Sequence, residues 1–117
     1  MTRKSIPKTI RKIVYEKYNG HCAYCGQDLA YKDMQIDHLH PVYLGGKDEL
    51  ENYMPACRAC NFYKSTLSLD GFKEQLGLLK KRLGGVFIYK LALAYGVIQE
   101  NNKEIKFYFE ERVENDK

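Results

Sequence analysis

Two Cys-x-x-Cys pairs constrain the fold of this chain more than any other feature. The pairs are Cys22/Cys25 and Cys57/Cys60, and they contain all four cysteines of the 117-residue sequence. In each pair the second thiolate can bind the ion that the first one holds, so two pairs complete a tetrahedral Zn²⁺ site. We predict a structural zinc site here, with buried free thiols, a redox pair or a rubredoxin-like iron site as the alternatives.

The segment between the two pairs is longer than a zinc site alone requires. It has 31 residues, whereas the corresponding loop of a zinc ribbon has roughly 15–20. A closed zinc site has no open position for a substrate. We therefore expect any chemistry to come from the inserted segment.

Four polar residues in and after this segment are candidates for that chemistry. Asp37 and His38 are adjacent, Asn52 follows 14 residues after His38, and Asn61 lies directly behind the last cysteine. Neighbouring residues of a strand point to opposite faces, but a bent or bulged strand end can bring both to one site. The alternative is an Asp-His hydrogen bond with a purely structural role.

Taken together, these residues closely resemble the HNH endonuclease family. The resemblance covers about Gly20 to Ser65 and includes Cys-x-x-Cys-Gly, Ile36-Asp37-His38-Leu39-His40-Pro41, Gly45-Gly46, Asn52, Cys57-Arg58-Ala59-Cys60-Asn61 and Lys64. It implies a ββα-metal core, in which a two-stranded hairpin and a helix surround one catalytic cation and zinc stabilises the base. It also implies cleavage of DNA that leaves a 5′ phosphate and a 3′ hydroxyl.

The resemblance implies a role for each of the four residues. The first His of the family falls on His38 and its Asn on Asn52, which in the family braces the hairpin loop. The last His position falls on Asn61, a substitution that many members share, including the HNH domain of CRISPR effector nucleases. His38 suits a general base that titrates near neutral pH, and the oxygens of Asp37 and Asn61 suit Mg²⁺ or Mn²⁺.

Two further residues are candidates for substrate contact. His40 lies two positions after His38, so on a strand it would face the same side and could reach phosphate or metal. Lys64 could contact the DNA backbone. The alternatives are a hydrogen-bonded histidine without a catalytic role and an exposed helix lysine.

The distribution of charge indicates a polyanionic partner. The net charge is only +4, but residues 1–32 carry seven basic side chains against two acidic ones, and residues 33–69 carry three against five. A basic arm beside an acidic cation site suits nucleic acid, although a solvated basic helix face is the alternative. The arm comprises Arg3, Lys4, Lys8, Arg11, Lys12 and Lys17, and a second basic cluster is Lys80-Lys81-Arg82.

Composition places the chain among globular proteins, with 44% hydrophobic and 29% charged residues. The longest apolar run, residues 86–98, contains Lys90 and is too short to cross a bilayer. The N-terminus lacks the apolar stretch of a secretory signal. We therefore expect a cytoplasmic protein with no membrane span.

The hydrophobic pattern predicts an α+β fold with one domain over residues 1–117. A basic N-terminal helix (1–20) precedes the HNH core (21–66), which comprises strands near Met34–His40 and Asn52–Met54 and a helix from Cys57 to Lys64. The extension (67–117) is predicted as a helix from Asp70 to Leu83, a helix over Val86–Tyr95 and a strand over Ile105–Glu110. Its apolar residues are interpreted as core rather than as a cofactor or membrane site.

The sequence thus predicts an HNH-type endonuclease that nicks or cuts duplex DNA. The main alternative is a zinc-stabilised nucleic-acid-binding module without activity. A third interpretation is a zinc domain that mediates protein interaction.

Overall fold

The computed structural model describes residues 5–115. In this range there are six helices and two strands: α1 (Lys8–Glu16), β1 (Gln35–His38), β2 (Tyr53–Ala56), α2 (Arg58–Lys64), α3 (Leu69–Gly77), α4 (Leu79–Leu83), α5 (Phe87–Ala94) and α6 (Tyr108–Asn115). Short 3₁₀ turns occupy Tyr31–Asp33, Val42–Leu44 and Leu50–Asn52. This mixture of helices with a small antiparallel sheet confirms the predicted α+β class.

The hairpin and the helix after it form the predicted ββα arrangement. β1 and β2 are antiparallel, and His38 at the end of β1 pairs with Tyr53 at the start of β2. Cys57 caps α2, because its Sγ accepts a hydrogen bond from the backbone N–H of Cys60 at 3.4 Å. β1 ends two residues earlier than predicted, where the chain bends after His38.

The N-terminal helix packs against this hairpin. Val14 of α1 is fully buried in a cluster with Leu29, Met34 and Tyr53. The helix ends at Glu16, before the predicted stop at Asn19-Gly20. Those two residues form a turn with positive φ angles of 55° and 77°, a conformation that glycine adopts without strain.

The predicted strand over Ile105–Glu110 was wrong, because α6 begins at Tyr108. The backbone N–H of Phe107 donates to the side chain of Glu110 at 3.0 Å. A glutamate at the third helical position that binds the residue before the helix is one half of a capping box. This local capping favours a helix here, although the alternation of apolar and polar residues over 105–110 is typical of a strand.

The alternating aromatic residues of this segment pack around the first cysteine pair. The ring of Phe107 lies 5.3 Å from that of Tyr24, and the ring of Phe109 lies 6.2 Å from it. The backbone N–H groups of Tyr108 and Phe109 donate to the carbonyls of Tyr24 and Ala23 at 3.0 and 2.9 Å. The start of α6 is thus fixed to the turn that carries Cys22 and Cys25.

The chain divides into two compact units. Unit 1 comprises residues up to 69 together with those from 106 onward, and unit 2 comprises residues 70–105. The predicted single-domain organisation over residues 1–117 stays a prediction.

Unit 2 contains α4, α5 and all of α3 except its first residue, Leu69. A single helix was predicted from Asp70 to Leu83, but the structure has two, separated at Leu78. The prediction that α5 belongs to the core was wrong: none of its eight described residues is buried, and Phe87 and Ile88 are 72% and 68% exposed. Within residues 5–115, no helix has both the length and the apolar character that crossing a membrane requires.

Candidate active site

The four cysteines converge in unit 1, as the two pairs predicted. Their Sγ atoms all lie within 4.8 Å of one another, and those of Cys25 and Cys57 are 3.8 Å apart. Tetrahedral zinc with Zn–S bonds of about 2.3 Å requires sulfurs about 3.8 Å apart. The first pair lies on a turn that Gly26 closes with a φ of 79°. The arrangement can therefore hold a structural metal ion.

Hydrogen bonding and burial shift the pKa values of three of the four cysteines. The hydrogen bond with Cys60 lowers the pKa of Cys22 to about 4, and the same hydrogen bond raises the pKa of Cys60 far above its usual range. Burial raises the pKa of Cys25 to about 11. A bound zinc ion would stabilise the thiolate form of each ligand.

A second site lies where β1 ends beside α2. Asp37, His38 and Asn61 line one cleft of about 410 Å³, whose wall also includes Tyr43 and Asp48. Asp37 and His38 reach the same cleft although they are adjacent, since β1 stops at His38. Asn61 reaches it from the first turns of α2. The structure thus brings together three of the four predicted catalytic residues.

Asp37 is buried at the base of this cleft and has two donors on one oxygen. Lys64 Nζ lies 3.0 Å from Asp37 Oδ2, and the Tyr24 hydroxyl donates to the same atom at 2.5 Å. Burial, followed by the charge of Asp37, raises the pKa of Tyr24 far above its usual range. The phenol therefore stays protonated and keeps donating to the carboxylate.

His38 is held by a residue that the sequence analysis did not select. Its Nε2 lies 2.8 Å from Asp48 Oδ1, which also accepts a hydrogen bond from the Tyr53 hydroxyl at 2.8 Å. The Tyr53 ring contacts the imidazole edge-on, with ring centroids 5.5 Å apart. Asp48 lies two residues after Gly45-Gly46. A carboxylate in a glycine-containing loop was the only feature of the sequence that could have indicated a role for it.

Asn52 braces the loop between the strands instead of lining the cleft with His38. Its side-chain oxygen accepts from the His40 backbone N–H at 2.9 Å, and its amide nitrogen donates to the carbonyls of His40 and Lys47 at 2.9 and 2.7 Å. These bonds close the loop that carries Asp48. Asn52 is 7% exposed.

The two predicted substrate contacts lie elsewhere than expected. His40 follows the end of β1, so strand alternation does not apply to it, and it lines a separate surface cavity with Lys47 and Asn52. Lys64 is 0% exposed, so the alternative of an exposed helix lysine was wrong. The contact of Lys64 with the DNA backbone stays a prediction. No sequence pattern indicates that this lysine lies on the side of α2 that packs against β1.

Comparison with known proteins agrees with this geometry. Residues 22–66 match the model of the HNH endonuclease family, which confirms the resemblance over this segment. The matched segment contains both cysteine pairs and every cleft residue named above. At the level of the family, the match supports a nuclease.

One solved structure adds to this evidence. The chain resembles the Type II-C Cas9 enzyme from Actinomyces naeslundii, with a TM-score of 0.55 and 25% sequence identity. The alignment covers 65% of this chain and 9% of that enzyme. The likeness therefore concerns a small part of a much larger protein. No curated protein matches this chain in sequence.

Proposed function

We propose that this chain is an HNH-type, metal-dependent endonuclease that hydrolyses DNA phosphodiester bonds, with His38 as the general base. The proposal is supported above all by the single cleft that Asp37, His38 and Asn61 share. That cleft lies within the segment that matches the HNH family. A base and two oxygen ligands side by side suit metal-assisted hydrolysis of a phosphodiester.

His38 is oriented for proton transfer before a substrate binds. In the neutral tautomer that donates Nε2–H to Asp48, Nδ1 is the ring nitrogen with a lone pair. That lone pair takes a proton from the water molecule that attacks phosphorus. Tyr53 contacts both His38 and Asp48 and so limits rotation of the pair.

Asp37 and Asn61 supply ligands that fit a hard divalent cation. Lys64 and Tyr24 both bind the same carboxylate oxygen of Asp37, Oδ2. We assign Oδ1 and the amide oxygen of Asn61 to Mg²⁺ or Mn²⁺. When bound, the cation supplies electrostatic stabilisation of the charge that develops on the phosphate and on the leaving 3′ oxygen.

The four cysteines hold a structural Zn²⁺ in this proposal. The ion connects the turn of Cys22 and Cys25 to the start of α2, where Cys57 and Cys60 lie. Asn61 directly follows the last ligand. Zinc therefore fixes the helix that presents Asn61 to the cleft.

Duplex DNA is the substrate that we propose, nicked on one strand or cut on both. Lys8 and Lys12 of α1 are exposed and available to phosphates.

Supercoiled plasmid provides the direct test. Wild-type protein with its zinc content verified should convert the plasmid to nicked or linear form in Mg²⁺ or Mn²⁺, and not when EDTA binds the added cation. Sequencing of the product ends should find 5′ phosphates and 3′ hydroxyls. Salt-sensitive binding without cleavage, in every divalent cation and on every nucleic acid tried, would favour the non-catalytic binding module instead.

A further inference from the structure

A buried lysine in the last turn of α2 is unexplained by the function proposed so far. Lys64 is 0% exposed, and a buried ammonium group is strongly destabilising unless it is paired and hydrogen-bonded. An apolar side chain of similar length would fill the same space without that penalty. We therefore expect a buried lysine at this position to have partners that it holds in a particular geometry.

Lys64 has two such partners, and both belong to the proposed catalytic dipeptide. Its Nζ lies 3.0 Å from Asp37 Oδ2 and donates to the backbone carbonyl of His38 at 2.9 Å. One ammonium group thus fixes the carboxylate of one residue and the main chain of the next.

The same lysine connects the strand to the helix that carries the other proposed ligand. Asn61 and Lys64 are three residues apart on α2, so they lie on the same side of the helix. The hydroxyl of Tyr24 donates to the same Asp37 oxygen as Lys64. Two donors on Oδ2 restrict rotation of the carboxylate, and Oδ1 is the oxygen that the proposed function assigns to the cation.

We infer that Lys64 is a positioning residue, which holds Asp37 and His38 in the geometry that cleavage requires and does not contact DNA. The inference rests on the proposed endonuclease function. Of its two contacts, the ion pair requires the Asp37 carboxylate, so the loss of Lys64 should matter more while that carboxylate is present. Groups that orient metal ligands in this way typically change activity by roughly 10–100-fold when removed.

A double-mutant cycle tests this role. Lys64→Met, Asp37→Asn and the double variant should be compared by single-turnover cleavage in excess Mn²⁺, where Asn still offers an oxygen ligand. We expect Lys64→Met to slow cleavage roughly tenfold or more in the wild-type background. The effect should be clearly smaller beside Asp37→Asn, where only the bond to the His38 carbonyl is lost. Equal effects in both backgrounds would overturn the inference.

Binding without a divalent cation provides the second measurement. Lys64→Met should bind DNA as tightly as the wild type and with the same salt dependence, because its Nζ is buried. A loss of about 0.9 in the slope of log K against log salt would reveal a phosphate contact and contradict the positioning role.

Controls separate positioning from loss of folding. Lys90→Met makes the same chemical change at an exposed helix position, and should alter neither cleavage nor melting temperature. Lys64→Met should lower the melting temperature more in the wild-type background than in the Asp37→Asn background, because only the first leaves a buried carboxylate without its ion pair. Should Lys64→Met fail to fold, Lys64→Gln keeps a donor and can replace it in the same cycle.

The outcomes distinguish this inference from the proposed function. If the wild type cuts but the two residues show no coupling, only this inference is refuted. If the wild type never cuts, the proposed function is refuted and the positioning role with it.

Discussion

The two compact units of this chain use apolar residues in opposite ways. In unit 1, Val14, Met34 and Phe107 are almost fully buried, and the charged pair Asp37 and Lys64 is buried with them. In unit 2, α5 is the most apolar helix of the described chain, yet none of its residues is buried. Apolar content thus does not indicate where the ordered core lies.

The two units also differ in the interactions that hold their structures in place. Unit 1 has a four-sulfur cluster, a hairpin and buried polar side chains that each have a hydrogen-bond partner. The side-chain hydrogen bonds found within unit 2 are mainly exposed. Examples are Tyr89 to Glu100 and Arg82 to Gln75, both at 2.6 Å. Directional bonds in a buried setting specify one geometry, which a reactive site needs.

The largest difference in stability between the two units should appear when the metal is removed. Because the free energy of metal binding contributes directly to folding, a chelator or Cys57→Ser should abolish protection of residues 22–64 from hydrogen exchange and lower the melting temperature sharply. Helices of unit 2 contain no cysteine and should change less. Purified protein without metal, or melting that a chelator leaves unchanged, would show that the sulfurs do not stabilise unit 1.

The next largest effect should come from the base in unit 1. His38→Ala should reduce cleavage by roughly 10²–10⁴-fold, the usual contribution of general-base catalysis, with DNA affinity retained. Asp37→Ala should be partly rescued by extra Mn²⁺, whereas His38→Ala should not be. Tyr95→Ala, at a 78% exposed position of unit 2, is the matched control and should cut normally. If His40→Ala is inactive while His38→Ala cuts at the wild-type rate, the base has been assigned to the wrong histidine.

The sequence predicted the parts of unit 1 that short-range patterns encode. Cysteine spacing and the Asp37-His38 dipeptide located both sites, because ligand spacing and family resemblance are local signals. The burial of Lys64 was not predictable in this way, since it depends on which side of a two-turn helix meets β1. Likewise Asp48 reaches His38 only because the loop folds back, and no periodicity records that.

The same limit explains the errors in the C-terminal third. Ile105, Phe107 and Phe109 alternate as in a strand, but the aromatic rings pack on Tyr24 and the chain turns into α6. For α5, hydrophobicity predicted burial, whereas burial depends on a neighbouring surface. Alternation and hydrophobicity describe what a segment can do, and tertiary contacts decide between the possibilities.

Two phenylalanines of unit 2 sharpen the comparison within that unit. Phe72 is 1% exposed and Phe87 is 72% exposed. Phe72→Ala should lower the free energy of unfolding by about 3–5 kcal/mol, and Phe87→Ala by less than about 0.5 kcal/mol, as measured by urea denaturation of the zinc-loaded protein. An equally large loss at Phe87 would mean that α5 is covered in solution.

The smallest effect should reveal which unit contacts the phosphate backbone. Of the predicted basic arm, Arg3 and Lys4 lie outside the described residues. Arg11 donates to the carbonyls of Tyr31 and Met34, and Lys17 donates to that of Tyr53. These internal bonds leave Lys8 and Lys12 as the exposed cations of α1.

The corresponding cations of unit 2 are Lys80 and Lys81 on α4. Replacing Lys8 and Lys12 by Gln should reduce the slope of log K against log salt by about 1.8, since each phosphate contact contributes about 0.9. Affinity should fall by a similar factor for every DNA sequence, because phosphate contacts carry no base information. The same replacement at Lys80 and Lys81 should leave the slope unchanged. If only the second pair changes the slope, the phosphate backbone runs along unit 2, and the division between an active unit 1 and a passive unit 2 no longer holds.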